Sequence, residues 1–170
     1  MNSFMPIEKI LESISWKDSG HCQYTTFSGN VRDNSLKNYL ESHEIFLKQS
    51  YRDNFERELK KDFLNKIFAL SLGALKNAKH HGSNELTLFT HGIFLGEKGI
   101  CNGFQDRGKF LRREDIKKTL ESKSEIKDFN GDSEGVHVGL KAYIYPNTDL
   151  IYVDNPTGVL YCVNRFDGGK

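Results

Sequence analysis

Three stretches of this sequence carry residues able to do chemistry: LGALKNAKHHG (Leu72 to Gly82), QDRG (Gln105 to Gly108) and GDSEGVHVGL (Gly131 to Leu140). In the first, Phe63, Leu70 and Asn77 fall at seven-residue steps, so the helical repeat carries a side-chain amide onto a core-facing stripe. Left unpaired there, an amide costs about 1–3 kcal/mol. It must either cap a neighbouring strand or ligate something in a cavity. In the second stretch, Asp106-Arg107-Gly108 follows the strand-like run GICNGFQ; alone, such a triplet is commonly just a turn. In the third, Gly131, Gly135 and Gly139 recur at four-residue intervals. Backbone N–H groups at a helix start hold phosphate oxygens because they lack intrahelical partners. The plain alternative is a surface loop.

These residues need elements to position them. The segment Pro6 to Ile14 reads as a short helix and His21 to Phe27 as a strand closed by Ser28-Gly29-Asn30. Asp33-Asn34-Ser35 offers a helix cap before LKNYLESHEIFLKQS. Phe55, Leu59, Phe63, Ile67, Leu70 and Ala74 then recur at spacings of three and four, which predicts one long helix with a buried face. Glu85 to His91 reads as a strand, Gly96 to Gly99 as a turn, and Ile100 to Gln105 as a second strand. Arg112 to Lys123 reads as a short helix before a polar, glycine-containing stretch. The segments DLIYVD and VLYCVNRF, joined by NPTG, predict a closing hairpin. Helices early and strands late predict an α+β fold: a two-layer sandwich whose mixed, largely antiparallel sheet is covered on one face by helices. No linker or repeat divides residues 1–170, so one domain is expected, with the first twenty or so residues peripheral.

Taken in order, these boxes resemble those of the Bergerat-fold ATPases, the histidine kinase-like group of gyrases, heat-shock chaperones, histidine kinases and anti-sigma-factor kinases. Asn77-Ala78 with His81-Gly82 is similar to that family's N box, Asp106-Arg107-Gly108 to its D-x-G, and GDSEGVHVGL to its second glycine box. Ile151-x-Val153-Asp154, then Gly158 and a last strand, resembles its closing hairpin. The resemblance spans Ser35 to Phe166 and implies a pocket for ATP or ADP with Mg2+. It implies that Asn77 holds the metal and that Asp106 accepts a hydrogen bond from the adenine amino group. It further implies nucleotide contacts from His80, His81, Gly108, Gly131, Gly135, Val138, Gly139 and Leu140.

The departures are as informative. The family's N box carries a glutamate four residues before the asparagine, where this chain has Gly73, and Leu70, Lys66 and Phe63 supply no replacement. Loss of a general base costs about 10²–10⁴ in rate. Binding with weak or absent hydrolysis, acting through a protein partner, is therefore expected. Phe110 also replaces the second glycine of D-x-G-x-G, so the other reading is a degenerate member that serves as an interaction module without nucleotide. His80, His81, His91 and Cys101 fit no zinc spacing. With 24 basic and 23 acidic residues, the chain does not suit nucleic-acid binding by bulk electrostatics. No run nears the roughly 18 apolar residues of a membrane span. Three widely spaced cysteines read as reduced thiols, and the start lacks a signal-peptide pattern, so a cytoplasmic location is expected.

Overall fold

A computed structural model describes residues 7–16, 22–27, 33–81, 89–105, 143–154 and 158–166. Among them are helices α1 (Ile7–Ser13), α2 (Asp33–Phe55) and α3 (Lys61–His81). The strands are β1 (Cys22–Phe27), β2 (Phe89–Gly96), β3 (Gly99–Gln105), β4 (Leu150–Asp154) and β5 (Val159–Arg165), with a 3-10 turn at Tyr145–Asn147. They form one five-stranded sheet in the order β1-β2-β3-β5-β4. Every described neighbour pair is antiparallel. The α+β class is thus what the chain adopts.

Register decides which residues meet the helices. His91 pairs with Phe104, Ile93 with Asn102 and Leu95 with Ile100, and these continue into Leu160, Cys162 and Asn164 on β5. Because side chains alternate along a strand, this set occupies one face of the sheet. Against it lies the stripe of α2 that buries Tyr39, Leu40, His43, Leu47 and Tyr51 at three- and four-residue spacing. From α3 come Leu64, Ile67, Leu70 and Ala74. Each such Leu or Ile contributes about 1.5–3 kcal/mol on full burial. The start of α3 packs with Ile93, Leu95 and Ile100 near the β2–β3 turn. Its later turns pack with Phe104, Ile151, Val153 and Leu160, at the end where β3 runs out toward residue 106.

Two expectations are corrected. The apolar stripe from Phe55 to Ala74 is not one helix: α2 ends at Phe55, and residues 56–60 connect it to α3. Glu56 takes a left-handed φ of 48°, with its N–H on Arg52 O and the Arg57 N–H on Tyr51 O. That conformation cannot continue a right-handed helix. Leu59 therefore packs from the connector, beside Phe55 and Phe63, in the cluster under the helices.

Helices also cover more than one face. Cys101, Val163 and Leu150 lie on the opposite side of the sheet, and α1 covers them with Ile10 and Ile14, both 0% exposed. An apolar second face needs that cover, so the amino-terminal helix is part of the core. The Lys98 N–H donates to Ile14 O at 2.9 Å, clamping the end of α1 onto the β2–β3 turn. Gly96 permits the approach, since a Cβ there would lie 2.0 Å from Ile14 O. On the helical side, the Tyr51 hydroxyl stands 2.8 Å from both Gly96 O and Gly99 O, so the same turn is held from both faces. At the other hairpin, Gly158 takes φ 69° where NPTG was expected to turn, and its N–H bonds to Asp154 O at 2.7 Å. The helix expected at Arg112 to Lys123 lies outside the described residues.

Ile14→Ala should lower the unfolding free energy by about 2–5 kcal/mol, and Gly96→Ala by about 1–3 kcal/mol through forced displacement of α1. Urea unfolding monitored by Trp16 fluorescence measures both. Midpoints equal to wild type would show that α1 does not seal the second face.

Candidate functional site

The residues implied in nucleotide contact divide by where they fall. Asn77, His80 and His81 belong to the last turns of α3. Gly73, the position lacking the glutamate, is buried within the same helix. Asp106 and Gly108 lie outside the described residues, as do Gly131, Gly135, Val138, Gly139 and Leu140. Their flanks are described. Ala74 precedes Asn77 by three residues, Phe104 precedes Asp106 by two, and Ile144 follows Leu140 by four. Ala74, Phe104 and Ile144 are 6%, 3% and 1% exposed and belong to one apolar cluster. The 3-10 turn Tyr145–Asn147 also packs against α3. Asn147 is tied to the sheet by its carbonyl, which accepts from Asn164 Nδ2 at 2.5 Å.

Beside this cluster sits a polar group that the motif reading did not identify. His91 is fully buried between the imidazole of His43, with centroids 4.6 Å apart at 18°, and the ring of Phe104, 4.5 Å away at 25°. Tyr39 Oη bonds to His91 Nδ1, and His91 Nε2 lies 2.9 Å from Asn102 Oδ1. The phenol is a donor and the amide oxygen an acceptor, so the consistent neutral tautomer carries its proton on Nε2. The chain therefore runs Tyr39 O–H to Nδ1, then Nε2–H to Asn102 Oδ1. It joins α2 to β2 and β3 beneath the helices.

Burial sets the charge states. Desolvation pushes the Tyr39 phenol up, keeping it a donor. Desolvation takes His43 from its ordinary 6.5 down to about 4. His91 is held well below its ordinary value, first by burial and then by the neighbouring His43, against the opposing effect of its hydrogen bond to Asn102. Both rings are neutral near pH 7. With its two ring nitrogens bonded to Tyr39 and Asn102, this buried imidazole cross-links the fold.

His91 and Cys101 do not converge. His91 faces the helices, whereas Cys101 pairs with Phe94 and Val163 on the opposite face. Among the described residues no group of three or more His, Cys, Asp or Glu is arranged to hold a metal ion. Cys162 is buried, and burial, reinforced by Cys101, pushes its thiol well up, so it offers no ready thiolate. No described helix is long and apolar enough to cross a membrane.

Because both imidazoles are held neutral, unfolding lets them take up protons that the folded chain refuses. For His43 that contribution is complete above about pH 6.5 and is lost as pH falls toward 4; His91 acts in the same direction. For His43 the loss is on the order of 3 kcal/mol. Urea midpoints taken between about pH 7.5 and 4.5 should fall in wild type and fall less in His43→Phe; equal slopes would contradict this. Tyr39→Phe should cost about 1–3 kcal/mol at neutral pH by leaving His91 Nδ1 unpaired.

No protein-family model matches this chain, and no curated protein sequence matches it.

Proposed function

We propose that this chain binds a purine nucleotide, ATP or ADP with Mg2+, at the end of the sheet where β3 and α3 finish. The observation that carries the reading is the shared cluster of Ala74, Phe104 and Ile144. Each lies within a few residues of one of the three boxes, so the anchors of all three are packed against one another. The order of elements also accords with the family pattern: a long helix, a hairpin, an intervening segment and a closing hairpin.

In this reading Asn77 holds the metal, whose charge offsets that of the phosphates. Asp106 accepts from the adenine amino group, with Gly108 allowing the base to approach. Gly131, Gly135 and Gly139 free backbone N–H groups for phosphate oxygens, with Val138 and Leu140 beside them and His80 and His81 at the helix end. Gly73 supplies no base one turn before Asn77, so nucleotide acts as a conformational ligand read by a protein partner, with little or no turnover. Gly73 together with Phe110 also favours a second reading, an interaction module that has lost nucleotide altogether.

Thermal unfolding separates the two. A ligand at a hundredfold excess over Kd adds about 2.7 kcal/mol, which raises Tm by several degrees for a chain of this size. Mg–ADP or a non-hydrolysable ATP analogue should produce that rise, and Asn77→Ala or Asp106→Asn should remove it. Absence of any rise at millimolar nucleotide would favour the module. ATP turnover at ordinary enzyme rates, lost in Asn77→Ala, would refute the claim of little or no turnover.

A further inference from the structure

Helix α2 is fastened to the sheet in two different ways along its length. Near its carboxyl end the Tyr51 hydroxyl stands 2.8 Å from both Gly96 O and Gly99 O, and its ring packs on Phe55 and Phe166 at centroid distances of 5.1 Å. Burial pushes that phenol up, so the hydroxyl stays neutral and keeps these bonds in acid. Eight residues earlier, about two helical turns, the fastening is of another kind. The His43 ring lies on His91 with centroids 4.6 Å apart at 18°, and the Tyr39 ring meets both edge-on at 5.7 and 6.0 Å. Tyr39 Oη bonds to His91 Nδ1. This part of α2 therefore holds β2 through two bases packed ring on ring.

Stacked bases hold only while both are uncharged. One proton places an ion in an enclosed apolar surface, and two place like charges face to face. At His91 an added proton has only Nδ1 to bind, the atom that accepts from Tyr39, so proton uptake displaces that donated hydrogen bond. The neighbours do not offset the charge. Thr25 and Phe104, the strand partners of His91, do not titrate, and Cys162 across from Asn102 is a thiol that burial keeps protonated. Beside His43 stand Leu64, Ile67, Phe68 and Ser71 from α3, none of them ionisable. Glu44 of α2 lines the same space, and its carboxylate is bonded to Lys48 Nζ at 2.6 Å. Once away from the sheet, both rings protonate as ordinary imidazoles do, so a state in which they part binds protons that the closed state refuses.

We propose that the leading part of α2, from Tyr39 to His43, is a proton-operated latch: acid releases it from β2 and β3 while the segment around Tyr51 stays seated on the β2–β3 turn. The helix then swings from its Tyr51 end and uncovers His91 and the Phe104 ring stacked on it, 4.5 Å away. The bistable element is the His43–His91 stack, and the proton is the ligand that favours its open form. The latch uses neither Asn77 nor Asp106, so its failure and that of the nucleotide reading are independent.

The test is amide hydrogen exchange of the whole chain, read residue by residue by NMR at pH 7 and pH 4.5 and corrected for intrinsic rates. At both pH values the amides of Leu40 to Glu44 should open more readily than those of Tyr51 and of Ile100 to Asn102. Between the two, their opening constant should rise roughly fiftyfold on account of His43 alone. His43→Phe, which keeps a ring in the stack but cannot take a proton, should cut that rise at least tenfold. His43→Gln, a second side chain that does not titrate, should do the same, so a fold defect in one variant does not decide the result. Tyr51→Phe should loosen the other end and leave the rise at Leu40 to Glu44 unchanged. Three results overturn the proposal: equal opening in all these segments at pH 4.5, opening that begins around Tyr51, or a rise that persists undiminished in both His43 variants.

Discussion

A buried histidine that must stay neutral organises the helix-facing half of this protein. His91 sits in the middle of an apolar surface, between Ile93 on its own strand and Phe104 across from it. Enclosing an imidazole there is tolerable only if both ring nitrogens are paired and the charged form is excluded. Tyr39 from α2 satisfies one nitrogen and Asn102 from β3 the other. That requirement fixes the rotation of α2 about its axis, because a turn of one residue would remove the phenol. It also fixes the pairing of β2 with β3, since a register slip of one residue would send Asn102 to the opposite face. The same three elements hold Phe104 against the imidazole, so the floor beneath the end of β3 is set by the polar chain.

From that floor the architecture has a direction. The Tyr51 hydroxyl, the Lys98–Ile14 clamp and Gly96 hold the β2–β3 turn from both faces. The opposite end of the sheet is where β3, α3 and the segment before β4 finish near one another, around Ala74, Phe104 and Ile144. Binding residues commonly sit on segments that leave a rigid scaffold at such an end. The nucleotide reading puts its ligand there, and it needs little from the rest of the fold beyond that rigidity.

Much of this scaffold could be read from the chain, because its signals are local. His91, Ile93 and Leu95 alternate, as do Ile100, Asn102 and Phe104, and the closing hairpin declared itself through LIYVD and LYCVNR. The break after Phe55 could not be read in the same way: Phe55, Leu59 and Phe63 keep a four-residue spacing across residues 56–60, with no Gly or Pro to mark a stop. The left-handed turn falls on Glu56, a residue type that gives no warning. The strand expected over Glu85 to His91 stops short of Gly96, where β2 ends, because Gly92 interrupts the texture while Ile93 and Leu95 continue the alternation. The cover that α1 provides is not legible in the chain, because seven residues give too short a period to assign a partner surface. A polar residue at an inward position of an otherwise apolar strand was the available signal for the Tyr39–His91–Asn102 chain. It shows at His91 and Asn102, and His43 shows it on the α2 stripe. Spacing alone could not indicate that these residues meet, because they come from segments 11 to 52 positions apart.

The central claim is that a metal-bound nucleotide lies against the anchors of the three boxes. Paramagnetic NMR with Mn2+ in place of Mg2+ addresses it most directly. With ADP present, Mn2+ should broaden the resonances of Ala74, Phe104 and Ile144 well before those of Ile10, Ile14 and Leu95 at the far turn, and without ADP that selectivity should vanish. Broadening that ignores nucleotide, or that appears first at the β2–β3 turn, would contradict the account.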